Sequence, residues 1–164
     1  MVVDSLDICK RQVYREIELR DGVSIDGMVS LTVRRGDRIE MIICGGNLVT
    51  TVGKNLCAEY FELTPGPARP GWIALGDDDA VALPTNTTLA NETFRDAILS
   101  RTRSDNEVNL NVIHTAAGTE TLKECGIFND AVAGTMISRF IFQQVTLALN
   151  DTLEIDWTLN FGGS

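Results

Sequence analysis

Apolar and polar residues alternate without interruption near the C-terminal end of the chain, from residue 153 to residue 161. The apolar members are Leu153, Ile155, Trp157, Leu159 and Phe161. Because successive side chains of a β-strand point to opposite faces, this alternation predicts a strand with one face in a core and one in water. The preceding run, 136–147, is rich in β-branched and aromatic residues, and Asn150 and Asp151 between the two runs favour a turn. We therefore predict a long C-terminal hairpin, which other strands must cover because it cannot bury its apolar face alone.

Shorter runs of the same kind predict the remaining strands. They lie at 13–19, 28–33, 39–44, 72–75, 93–102, 108–114 and 122–128, with turn residues between most of them. Many short strands separated by such turns are typical of a sandwich or a barrel. We predict an all-β fold, a jelly-roll-like β-sandwich of about seven to ten strands, with one short α-helix.

The helix is predicted at residues 49–62, where the hydrophobic period changes. Apolar residues recur there at three- and four-residue steps: Val49, Val52, Leu56 and Tyr60. Either Thr50 or Thr51 can cap its start, and Pro65 prevents its continuation. Glycine weakens a helix interior by about 1 kcal/mol relative to alanine, so Gly53 predicts a close approach between the helix and a sheet.

Charge and length restrict the classes of partner. The chain has 164 residues and a formal net charge of −9. This balance disfavours nucleic-acid binding, because phosphate contacts require clustered lysine and arginine. No apolar run reaches the roughly 18 residues that would predict a membrane span, and Asp4 and Asp7 occupy positions that are basic in a signal peptide. We expect a soluble protein made in a cytosol, with no nucleic-acid or membrane partner.

The cysteines and the histidine do not form a recognisable site. Cys9, Cys44, Cys57 and Cys125 form no CxxC pair, and His114 is the only histidine. Zinc ligands usually come in close pairs, so no metal site is predicted, and buried free thiols are the expected state. His114 and Cys125 could be imagined as a base and a nucleophile, but no orienting group or oxyanion site is visible, and a half-buried strand histidine is the favoured interpretation.

Two further groups of charged residues invite a chemical interpretation. Asp77, Asp78 and Asp79 could supply carboxylate oxygens to calcium, but their spacing is not that of a calcium loop, and a solvated acidic loop is favoured. Glu92 and Arg95 are expected to form a structural ion pair rather than an acid–base pair. Because no nucleotide-binding or hydrolase motif occurs either, we predict no catalytic residue, no cofactor and no enzymatic activity.

An ordered set of segments resembles a known family. The segments are 47–50, 53–56, 72–76, 89–95, 123–128, 134–139 and 153–159. Together they resemble small structural proteins of tailed bacteriophages, of the decoration, neck or tail-fibre type, and the resemblance covers about residues 45–161. It implies a virion component without catalysis in which Glu124, Gly126 and Arg139 are fold-defining positions. The predicted ion pair and core add Glu92, Arg95 and Trp157 to that set.

The leading hypothesis is a capsid decoration (cement) protein that binds and stabilises the outside of a phage head. Its expected partners are the major capsid protein or other virion proteins and further copies of itself, with a trimer favoured. The alternatives are a neck or tail-fibre subunit of the virion and a carbohydrate-binding β-sandwich module. The expected location is the virion, after synthesis in the host cytoplasm.

Residues 1–44 lie outside the resemblance and are predicted to be an N-terminal β-strand segment for docking or assembly, while 45–164 form the sandwich core. Edge strands can add to a neighbour's sheet through main-chain hydrogen bonds. The charged residues predicted to lie at the interface are Arg15, Glu16, Glu18, Arg34, Arg35 and Arg38. The alternative is that these strands merely complete the same sandwich.

Overall fold

The computed structural model describes residues 24–162, which form ten β-strands and one α-helix. In chain order these are β1 (Ser24–Arg35), β2 (Arg38–Gly46), β3 (Leu48–Val49), α1 (Thr51–Glu62), β4 (Trp72–Gly76), β5 (Glu92–Ala97), β6 (Ser100–Ser104), β7 (Glu107–Thr115), β8 (Glu120–Phe128), β9 (Met136–Leu147) and β10 (Thr152–Gly162). Sheet A has the strand order β2-β1-β10-β7-β6, and sheet B has the order β3-β9-β8-β4-β5. Two antiparallel sheets and one short helix confirm the predicted all-β class.

Sheet A belongs to one compact unit, formed by residues 24–46, 99–119 and 147–162 of the described chain. Its central strand is β10, which pairs with β1 on one side and β7 on the other. Trp157 lies between Val29 and Leu110 in this ladder, and the three residues are at most 1% exposed. The neighbouring layer is Leu31, Ile155 and Val112. The alternation of β10 therefore predicts its buried face correctly, because each apolar residue meets an apolar partner across the ladder.

The opposite face of sheet A is less exposed than the alternation predicts. Ser30 and Thr32 on β1 and Thr158 on β10 are all buried. Thr158 donates a hydrogen bond from Oγ1 to Oδ1 of Asn109 at 2.6 Å, so its hydroxyl has a partner without water. A short hydroxyl side chain can be buried at low cost when it has such a partner.

Sheet B and α1 belong to the second unit, formed by residues 47–98 and 120–146. The helix is capped by Thr50, whose Oγ1 accepts a hydrogen bond from the Gly53 amide at 3.0 Å and donates one to the Met136 carbonyl at 2.6 Å. A Cβ atom on Gly53 would lie 2.3 Å from the carbonyl oxygen of Ile137 on β9. The predicted cap and the predicted close approach at Gly53 are both confirmed.

The predicted C-terminal hairpin is wrong. Strand β9 lies in sheet B and β10 lies in sheet A, so the two do not pair with each other. The turn between them is present, with Asn150 in the left-handed region at φ 68. Alternation shows which face of a strand is buried, but it does not identify the neighbouring strand. A short connection therefore predicts a hairpin whether or not its two strands pair.

The predicted strand at 93–102 is also wrong, because the chain leaves one sheet for the other within it. The Ile98 amide donates to the Gly71 carbonyl at 2.9 Å, and the Leu99 amide donates to the Asn111 carbonyl at 2.9 Å. Gly71 immediately precedes β4 of sheet B, whereas Asn111 belongs to β7 of sheet A. The segment is therefore two strands, β5 and β6. The predicted strand at 13–19 lies outside the described residues.

The N-terminal strands are integral to sheet A. Strand β1 lies between β2 and β10, and its Val29, Leu31 and Val33 are buried. The boundary predicted between residues 44 and 45 falls inside β2. The two described N-terminal strands are thus part of sheet A, and the docking role of the N-terminal segment stays a prediction.

Replacing Trp157 with alanine removes the largest side chain from the centre of sheet A. We expect Trp157→Ala to lower the free energy of unfolding by about 3–5 kcal/mol, because it leaves a cavity that neighbours fill only in part. Phe161→Ala in the same strand is the control, since Phe161 is 39% exposed and should cost much less. Chemical denaturation measures both, and equal midpoints for the two variants would contradict the assignment.

Gly53→Ala tests the contact between α1 and β9. Alanine would stabilise an isolated helix by about 1 kcal/mol, but here its Cβ would overlap the Ile137 backbone, so we expect a net loss of about 1–3 kcal/mol. Gly118→Ala is the matched control, because a Cβ at Gly118 meets nothing within 4 Å. A Gly53→Ala variant at least as stable as the unmodified protein in thermal unfolding would show that the helix does not lie this close.

Candidate functional site

The most elaborate polar structure in sheet B lies beneath a long loop, residues 77–91, between β4 and β5. We call it the 77–91 loop. Its base is closed by two contacts: the Asp77 amide donates to the Asn91 carbonyl at 3.3 Å, and Nδ2 of Asn91 donates to Oδ1 of Asp77 at 2.6 Å. The loop contains no helix or strand of its own. Loops of this length without secondary structure are uncommon in compact proteins and are often functional.

The end of the loop is held by the carboxylate of Glu124 on β8, which is fully buried. The amides of Ala90 and Asn91 donate to its two oxygens at 3.1 and 2.9 Å. Nε of Arg139 on β9 donates to the same carboxylate at 2.9 Å. A buried carboxylate is tolerated only when it is paired and hydrogen-bonded, and both conditions are met here.

The strand opposite Glu124 has no side chain at the point of contact. Gly76 pairs with Glu124 in the β4–β8 ladder. A Cβ on Gly76 would lie 2.7 Å from Oε1 of Glu124 and 2.5 Å from the Asn91 carbonyl oxygen. Only glycine leaves room for the carboxylate and the loop backbone at the same place, so Gly76 is part of this site.

The guanidinium of Arg139, which pairs with Glu124, also contacts the middle of the loop. Its side chain is 1% exposed, and Nη2 lies 2.8 Å from Oε2 of Glu124 without an aligned hydrogen bond. Its Nη1 donates to Oδ1 of Asn86 at 2.8 Å. The same oxygen accepts the Leu83 amide at 2.7 Å, while the Asn86 amide donates to the Leu83 carbonyl at 3.0 Å. We call Gly76, Asn86, Glu124 and Arg139 the loop brace.

A second arginine fixes the start of β5. Arg95 forms a bidentate ion pair with Glu92, with nitrogen–oxygen distances of 2.7 and 2.6 Å, so the predicted pair is confirmed. Its guanidinium also lies 3.9 Å from the ring centroid of Phe128 and donates to the carbonyls of Asp130 and Ala133 at 2.8 and 2.7 Å. Stacking on an aromatic ring and bidentate pairing are contacts that lysine could not reproduce.

The three aspartates at the start of the loop are engaged separately. Asp77 accepts from Asn91, Asp78 accepts the amide two residues further along at 2.7 Å, and Asp79 lies 3.4 Å from Nζ of Lys123. Within residues 24–162, no group of three or more His, Cys, Asp or Glu side chains is arranged to hold a metal ion.

The imagined histidine and cysteine pair is divided between the two sheets. His114 is buried on β7 of sheet A, and Cys125 is buried on β8 of sheet B. Burial, and then the charge of Glu124, raise the pKa of Cys125 well above its usual value, so its thiol stays protonated and is a poor nucleophile. Burial also raises the pKa of Cys57. The expectation of free thiols is wrong for Cys44, which is disulfide-bonded.

The described arginines of the predicted interface surround the β1–β2 turn. Arg34, Arg35 and Arg38 pair with Glu154, Asp151 and Glu40, respectively. The side chains of Arg35 and Arg38 remain 54% and 78% exposed. The other predicted interface residues, Arg15, Glu16 and Glu18, lie outside the described residues.

Sequence reasoning named Glu124, Gly126 and Arg139 but did not predict that the first and third meet. It gave no role to Asn86, and it included Gly76 only as the last residue of a resembling segment. The available signal was the glycine that ends an apolar strand, since glycine in a strand often marks a close approach. Nothing in the spacing of Glu124 and Arg139 along the chain identifies them as partners.

No protein-family profile, no curated protein and no solved structure matches this chain. In the described part of the chain, no helix has the length and apolar character needed to cross a membrane. The fold and the loop brace are therefore the observations on which a function can be argued.

Glu124→Gln tests the brace. Removing the charge of Glu124 leaves the charge of Arg139 buried without its partner, so we expect the free energy of unfolding to fall by about 3–5 kcal/mol. The amides of Ala90 and Asn91 should also exchange with solvent faster. Lys123→Gln is the control, because the Lys123–Asp79 pair is partly exposed and should contribute at most about 1 kcal/mol. If Glu124→Gln unfolds at the same denaturant concentration as Lys123→Gln, the brace does not stabilise this unit.

Proposed function

We propose that this protein is a structural component of a tailed-bacteriophage virion, and within that class a capsid decoration protein that binds the outside of the assembled head. The observation that carries the proposal is where the resembling segments fall. Their Gly76, Glu124 and Arg139 belong to the loop brace, and Gly53 makes the contact between α1 and β9. The resemblance thus lies on positions that this fold cannot easily exchange, which supports a shared fold.

Gly126 adds to this argument. A Cβ there would lie 3.0 Å from Cδ2 of Leu89 and 3.1 Å from the Ser138 carbonyl oxygen. Leu89 belongs to one resembling segment and Ser138 to another, so three of the resembling segments meet at this glycine.

The disulfide at Cys44 is compatible with a particle that leaves the cell. Disulfides persist in oxidising surroundings, which include virion surfaces, and are rare in proteins that remain in a cytosol. A protein made in the host cytoplasm and released with the virion passes from one setting to the other.

The proposed role is binding and reinforcement rather than catalysis. A carbohydrate-binding module usually presents aromatic rings for stacking, but Trp157 is fully buried and Trp72 packs against a core cluster around Phe128. The most exposed aromatic residue described is Phe61, at 95%. No stacking surface is therefore built from the tryptophans, and the carbohydrate alternative loses its best candidates.

Quantitative gel analysis of purified virions tests the proposal. A decoration protein should be present in a copy number comparable to that of the major capsid protein, because it repeats with the capsid lattice. A copy number corresponding to a single ring would instead support a neck or tail-fibre subunit. Absence from the virion would overturn the structural assignment as a whole, and a glycan array would then test the carbohydrate alternative.

A further inference from the structure

We draw no further inference here: the strongest candidate, the surface patch that the exposed Val81 and Leu83 form on the 77–91 loop, carries nothing, because nothing in the described residues 24–162 shows what covers it.

Discussion

Burying the charges of Glu124 and Arg139 imposes a requirement that the rest of this unit must satisfy. Each ion loses several kcal/mol of hydration, which is recovered only when the two charges pair closely and further hydrogen bonds satisfy their other polar atoms. The carboxylate therefore needs the amides of Ala90 and Asn91, and the opposite strand must provide room, which only Gly76 can do. One buried pair thus constrains the residue opposite Glu124 in the ladder and also the middle and the end of the loop.

The benefit of such a pair lies in specificity as much as in stability. Well-packed apolar residues in its place could be equally stable, but they would not select one loop conformation, because apolar contacts have no direction. The 77–91 loop is instead tied at Asn86 and at Ala90 and Asn91 by hydrogen bonds to charged groups. We infer that the pair serves mainly to hold this loop in one conformation, since ordering a free loop costs about 1–2 kcal/mol per residue.

The features that could be predicted from sequence are those that depend on neighbouring residues. Alternation identified the buried face of β10, the three- and four-residue period identified α1, and Glu92–Arg95 was visible as a local pair. The features that could not be predicted depend on which distant segments meet. Alternation within a strand carries no information about the partner strand, so it cannot show that β9 and β10 belong to different sheets. A charged residue inside a strand usually faces solvent, so the sequence gives no sign that Glu124 and Arg139 are buried.

Surfaces are harder still to recognise in a sequence, because isolated exposed apolar residues are normal and carry little information. Val81 and Leu83 become informative only when their support is known. An exposed apolar residue on a free loop loses conformational entropy when it binds a partner. The same residue on a loop that a buried ion pair already orders loses less. The order of this surface therefore originates in the interior of the unit, with the buried residues that hold the loop, and not in the exposed side chains themselves.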